Sequence, residues 1–147
     1  AHILQITPHQ VLKMNIEKVG PILVRCIQIS GEDAKPHSKR VLLALKIINS
    51  FILDKSQYIL THLQHLVSDL LKLTHFKSSM DVRIMACRCL ENLTKFPLFT
   101  LVPYKNDVTL ELTNAIDDHK RLVRAAAVAA RMSWFLLGEG EETKTGK

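Results

Sequence analysis

Apolar side chains recur along this chain at two scales. Within a stretch they fall three or four residues apart, the spacing that gathers them on one face of an α-helix. Leu60, Leu63, Val67, Leu70 and Leu71 form one such set, and Val41, Leu42, Leu45, Ile48 and Ile52 another. Between stretches the sets repeat at a fixed interval of 41 residues, as in Val41, Val82 and Val123. Leu45, Ala86 and Ala127 keep that interval, as do Ile48, Cys89 and Ala130. A second group keeps it too: Val19, Leu60 and Leu101, then Ile22, Leu63 and Tyr104, then Cys26, Val67 and Val108. A period in the low forties with only helical patterning inside it predicts helix pairs stacked in tandem. One pair cannot bury both of its apolar faces, so neighbours must stack. Such arrays present long surfaces to other macromolecules and seldom carry out chemistry.

Punctuation divides the pattern into roughly seven helices. A short helix over 9–15 is opened by Pro8, and a second spans 17–30 with Pro21 near its beginning. A loop follows over 31–37, then a helix over 38–53 and one over 57–73 capped by Ser56. Ser78, Ser79, Met80 and Asp81 fit a capping box, in which each side chain satisfies an exposed backbone amide. The helix it opens reaches about Lys95 and is stopped by Pro97. Pro103 occupies the first turn of the next, which ends near Ile116. Asp117 or Asp118 caps the last, over 120–137, and Gly138 closes it.

Composition narrows the class. The chain has 147 residues, 47% of them hydrophobic, enough for one domain with a sizeable core. Aromatic content is only 5%, so Leu and Ile carry that core, which suits helices better than sheets. The net charge of +6 admits nucleic acid, an acidic protein or anionic lipid and selects none of them. No run of five like charges occurs. Three cysteines are an odd count, and all fall at apolar-face positions, which fits a reduced intracellular protein. There is no signal-peptide pattern and no apolar stretch of membrane-spanning length. The chain opens on Ala1 within an apolar run and reads as a fragment of a longer array. Residues 138–147, rich in Gly, Glu, Thr and Lys, read as a disordered tail.

Two motifs carry a resemblance. Asp81-Val82-Arg83 with Ala86, and Leu122-Val123-Arg124 with Ala127, resemble the first helix of HEAT repeats, whose small Ala lets the paired helix approach closely. In such repeats Asp and Arg often form a polar ladder along the stack, a role open to Asp118 with Arg124. The implied fold is all-α, a HEAT-type α-solenoid of stacked antiparallel helix pairs in a right-handed superhelix. Residues 1–137 make one domain of about three and a half repeats. The closing segment is more specific. Its residues 117–124, then Ala127-Val128, Ala130-Arg131 and Trp134-Phe135-Leu136-Leu137-Gly138, are similar to the C-terminus of the HEAT-repeat adaptor family of cytosolic iron–sulfur protein assembly. Val82-Arg83-Ile84 and Leu101-Val102-Pro103-Tyr104-Lys105 add to that likeness, which departs at Ala125-Ala126, where a more polar pair is expected.

The resemblance implies a scaffold rather than an enzyme. Family members bind a small iron–sulfur assembly carrier protein and, with it, a WD-repeat propeller protein. Together they bring clusters to apo-proteins such as the XPD-type helicase and polymerases, in DNA repair, replication and transcription. The family is linked to cytoplasm, nucleus and spindle. Neither membrane nor direct nucleic-acid binding is expected, and no resident metal or cofactor. Two other readings stand beside it: a basic HEAT solenoid that binds nucleic acid, and a HEAT scaffold of a transport or trafficking complex.

The residues themselves offer no catalytic pattern: no Gly-rich phosphate loop, no GxSxG and no paired carboxylates. Cys87 and Cys89 lie two apart on a helix and so point to different faces, which makes a poor cluster site and good core. His62 and His65 lie three apart without the intervening Glu or third ligand of a metallohydrolase helix. The best candidates are cationic and aromatic. Lys120, Arg121, Arg124 and Arg131 put positive charge on the last helix, and Arg83 and Arg88 do so on an earlier one. These fit acidic partner groups, bidentately where geometry allows. Trp134 and Phe135 close the array; Trp134 is expected to pack onto Tyr104, and Phe135 to face outward as a partner anchor. Tyr58, and Lys105 to Asp107 beside Tyr104, are expected to line one edge of a groove.

Overall fold

A computed structural model of the chain describes residues 15–28 and 38–138. The helix expected over 9–15, the loop over 31–37 and the tail beyond Gly138 lie outside the described residues. Among those described there are seven helices and no strand, the all-α class that the periodicity predicts. They are α1 (Ile16–Ile27), α2 (Ser38–Leu53), α3 (Gln57–Thr61), α4 (Leu63–Leu73), α5 (Met80–Leu93), α6 (Leu98–Ile116) and α7 (Arg121–Phe135).

The helix starts show which local signals operate. Ser56 Oγ accepts the Tyr58 amide at 3.3 Å and opens α3. Ser79 Oγ accepts the Val82 amide at 3.3 Å and opens α5. The full capping box is not made: with Ser79 as cap, the third helical position is Val82, so Asp81 cannot return the bond. The single helix expected over 57–73 is broken at His62, whose φ of −110° and ψ of 20° leave the helical region. The Tyr58 and His62 rings pack across that break with centroids 4.2 Å apart. Pro103 does not open α6 but lies inside it, since the helix already begins at Leu98. A proline at this point removes the amide that would meet the carbonyl of Phe99. Phe99 is 79% exposed, so water can take the vacated acceptor.

Packing sorts the helices into two rows. α2, α5 and α7 lie side by side in one row, and α1, α4 and α6 in the other, with α3 leading into α4. The rows are tied by α1 on α2, α4 on α5 and α6 on α7. Val41, Val82 and Val123, with Leu45, Ala86 and Ala127, are fully buried between them. This is the 41-residue register seen in the sequence. Polar rungs join the first row as well: Asn92 Nδ2 donates to Asn49 Oδ1 at 2.8 Å, and Cys89 Sγ lies 3.6 Å from the Leu45 carbonyl.

The register fails at one place. Ile22 is 49% exposed while Leu23 is buried, and Ile27 rather than Cys26 is the buried member of its pair. Between α1 and α4 the packing interval is one residue shorter. One residue turns a helix by about 100°, enough to carry Ile22 off the core. α1 also comes close to α3, where Gly20 faces the Tyr58 ring, and a side chain on Gly20 would run into it. None of the helices among the described residues is long and apolar enough to cross a membrane.

Candidate protein-docking surface

The cationic residues singled out from the sequence separate into internal ties and surface groups. Arg83 is internal. Its side chain is 6% exposed, and Nε lies 2.8 Å from Oδ2 of Asp118, a contact that is coulombic rather than a well-aligned hydrogen bond. One terminal nitrogen donates to Asp118 Oδ1 at 3.3 Å and the other to the Phe76 carbonyl at 3.0 Å. Asp118 Oδ1 also accepts the Lys120 amide at 2.8 Å and so supports the start of α7. Burial pushes the Asp118 carboxyl up, but the Lys120 amide and the Arg83 guanidinium outweigh it and hold the carboxyl below its ordinary value. The polar ladder therefore runs through Arg83 and Asp118. Arg124, the expected partner, donates instead to the backbone carbonyl of Asp118 at 3.0 Å.

Two more cations tie α6 to α7 and the residues just after it. Lys105 Nζ donates to the Leu137 carbonyl at 2.9 Å, and Arg131 Nε donates to the Thr109 carbonyl at 3.2 Å. Arg88, Lys120, Arg121 and Arg124 are exposed. Trp134 closes the core as expected, and it also makes a hydrogen bond that its sequence position does not foretell. It is fully buried, and its indole Nε1 donates at 2.6 Å to Leu90, a carbonyl of the last turn of α5. A helix leaves those carbonyls without intrahelical donors, and Trp134 supplies one. Phe135 is 51% exposed.

Tyr104, half-buried against the core, also lines a groove of about 620 Å³ between α4 and α6. Val67, Leu71 and Pro103 give it an apolar floor, and Lys72, Asp107 and Glu111 give it charge. Of the residues expected along such an edge, Asp107 lies here and Tyr58 does not, being turned against Gly20 and His62. The other groove members were missed because α4 and α6 approach each other only in the fold. His75, at its rim, stands 3.9 Å from Glu111.

The cysteines do not reach the surface together. Cys87 and Cys89 are fully buried and Cys26 is half-buried. Burial pushes the Cys87 thiol up to about 12, with Asp118 adding to the rise and Arg83 opposing it. Burial raises the Cys89 thiol further. Neither is a thiolate near neutral pH, the form a metal ligand requires. Among the described residues no group of three His, Cys, Asp or Glu side chains is placed to hold a metal ion.

The described residues thus form two rows of packed helices with a groove between α4 and α6 and a basic surface at the start of α7. Residues 1–94 match the model of a family described as RNAPII transcription regulator C-terminal, MMS19_C. The chain belongs to this MMS19 C-terminal family. It is 41% identical to the MMS19 nucleotide excision repair protein of Drosophila melanogaster over 139 residues, 93% of this chain and 14% of that protein. It is 35% identical to the Homo sapiens homologue over 138 residues, 94% of this chain and 13% of that protein. The Arabidopsis thaliana homologue is 26% identical over 141 residues, 95% of this chain and 12% of that protein. The chain therefore spans about one seventh of the length of the curated relatives it matches. Its family is one named for DNA repair and transcription. Family membership covers both halves of the chain, including the helices before residue 78, where the sequence motifs are sparser.

Proposed function

We propose that this chain is the scaffold domain of an adaptor in cytosolic iron–sulfur protein assembly. In this reading it holds the small assembly carrier and the WD-repeat propeller. It thereby helps deliver clusters to apo-proteins of DNA repair, replication and transcription, the XPD-type helicase among them. It acts in cytoplasm and nucleus. The domain itself makes and breaks no bonds. It raises the effective concentration of one bound protein near another.

Membership of the MMS19 C-terminal family supports the choice of machinery, and the basic surface supports docking. The single observation that carries the docking is α7 itself. Residues 121–135 include Arg121, Arg124 and Arg131 and no acidic residue, and the first two are exposed. Such a surface pairs with Asp and Glu of another protein, and guanidinium groups do so in a directional way.

The test is co-elution from a sizing column of the 147-residue chain with purified carrier and propeller, at about 0.15 M salt. The expected result is a joint peak that a paired Arg121→Glu, Arg124→Glu variant loses. A chain that passes through alone beside folded partners removes the adaptor assignment for this domain. A complex with oligonucleotide whose affinity falls steeply with salt would put a nucleic-acid solenoid in its place.

A further inference from the structure

The outward side of α7 is apolar. Ala125, Val128, Ala129, Met132 and Phe135 lie three or four residues apart, opposite the buried Val123, Ala127, Ala130 and Trp134. Val128, Met132 and Phe135 are 46%, 52% and 51% exposed. Having no further neighbour in its row among the described helices explains only part of this. α5 packs against α2 and α7, and its Cys87 is fully buried, whereas Val128, one 41-residue interval on, is uncovered. The neighbouring positions change character along the same interval. Arg88, Glu91 and Thr94 in and after α5 become Ala129, Met132 and Phe135 in α7. A face merely left in water would have kept the polar set.

We propose that this face docks an amphipathic helix of a partner protein, apolar on one side and flanked by Asp and Glu. The inference deepens the adaptor reading by giving it a face, and rests on that reading for the partner being a protein. Five observations select this occupant. The row from α2 through α5 to α7 already stacks helix on helix, and Ala125 with Ala129 lets one more helix approach closely. Lys120, Arg121 and Arg124 border the face and call for acidic flanks. A second copy meets the first as like on like, because α7 carries no acidic residue to answer its own arginines. A lipid surface takes bulky Trp, Phe and Leu from a helix it binds; here Trp134 points inward and the face holds two alanines. Residues 139–147 carry no large apolar side chain with which to cover it. α7 is 15 residues long, so the matching partner helix spans about 20 Å.

The probe is a pair of labelled amphipathic helical peptides about 16 residues long with one shared Leu/Ala face. One has Glu flanks and the other Lys flanks, and both are titrated by anisotropy into the 147-residue chain. The Glu peptide is expected to bind at least about tenfold more tightly than the Lys peptide. Met132→Asp and, separately, Val128→Asp are expected to abolish that binding with helicity and Tm retained, since both sites are exposed. Arg121→Glu with Arg124→Glu is expected to reverse the preference. The proposal is overturned if the Glu peptide does not bind, if both peptides bind alike, or if folded Met132→Asp and Val128→Asp bind like the parent. It is equally overturned if the parent is a dimer that Met132→Asp turns into monomer, or if it floats with anionic vesicles through this face. The two claims separate cleanly. Carrier co-elution that survives Met132→Asp while the peptide fails removes the face and leaves the adaptor reading. Peptide binding without carrier co-elution does the reverse.

Discussion

Arg83, near the start of α5, clamps Asp118, thirty-five residues later, across the turn that leads from α6 into α7. With side chains only 6% and 11% exposed, the pair lies largely out of water. Removing one partner leaves the other desolvated and unpaired, a loss of about 3–5 kcal/mol for a buried pair. Asp118→Ala also removes the acceptor of the Lys120 amide. Arg83→Met and Asp118→Ala are therefore each expected to lower the melting temperature by roughly 10 °C, with α7 loosening first. Thermal melts and amide exchange along α7 check this.

The same pair sets a pH limit. Asp118 titrates below its unfolded value because its charged form is stabilised in the fold. Its contribution is complete above about pH 4, the ordinary Asp range, and is lost as pH falls through the lower folded value. An acid titration of stability is expected to show this loss in the parent and not in Asp118→Asn.

Asp69 works in the opposite sense. It is buried at 8% exposure, its Oδ2 has no hydrogen-bond partner, and burial raises its carboxyl against the opposing effect of Gln28 and Lys72. A raised folded value means that the ionised form is disfavoured by folding, so Asp69 subtracts stability at neutral pH. That deficit disappears as pH falls below the ordinary Asp range. Asp69→Asn is expected to raise Tm at pH 7 by about 2–4 °C, with the gain vanishing towards pH 4. An unchanged or lowered Tm at pH 7 contradicts this.

These polar ties mark the limit of what the sequence conveys. Val41, Val82 and Val123 announce the buried row because burial repeats wherever a helix meets its neighbour in the same way. The repeat does not tell which carbonyl or carboxylate a long side chain reaches. Arg83 and Arg124 share a register position, yet one is buried in an ion pair and the other is exposed. The difference is that α5 has a following neighbour in its row, α7, while α7 has none among the described helices. Ile22 shows a second limit. A connector one residue out of step rotates a helix face, and neither spacing nor hydropathy records it. The break at His62 and the continuation of α6 through Pro103 are likewise not written in the local spacing. At the docking surface, Arg121 and Arg124 were legible as cations. The outward position of Phe135 is expected from the sequence, but the exposure of Val128 and Met132 beside it becomes visible only in the fold.

Trp134 gives a test of how the last helix is held. Its indole donates to the Leu90 carbonyl inside the core. Trp134→Phe keeps an aromatic ring and removes the donor, so a buried carbonyl loses a partner at a cost of about 1–3 kcal/mol. A Tm lowered by several degrees with an unchanged far-UV spectrum is expected. An unchanged Tm shows that the bond contributes nothing.

Thiol chemistry reports on the core without any substitution. Cys26 is half-buried, whereas Cys87 and Cys89 are fully buried with raised thiols. One fast-reacting thiol is expected with Ellman's reagent in the native protein, and three in denaturant. A second fast thiol in the native state indicates that α5 opens on that timescale.

The most direct test of the adaptor account is a calorimetric titration of the purified iron–sulfur assembly carrier, with its propeller partner, into this chain. The account predicts a saturable, stoichiometric complex at about 0.15 M salt, weakened by Arg121→Glu with Arg124→Glu. Absence of binding between folded components contradicts it.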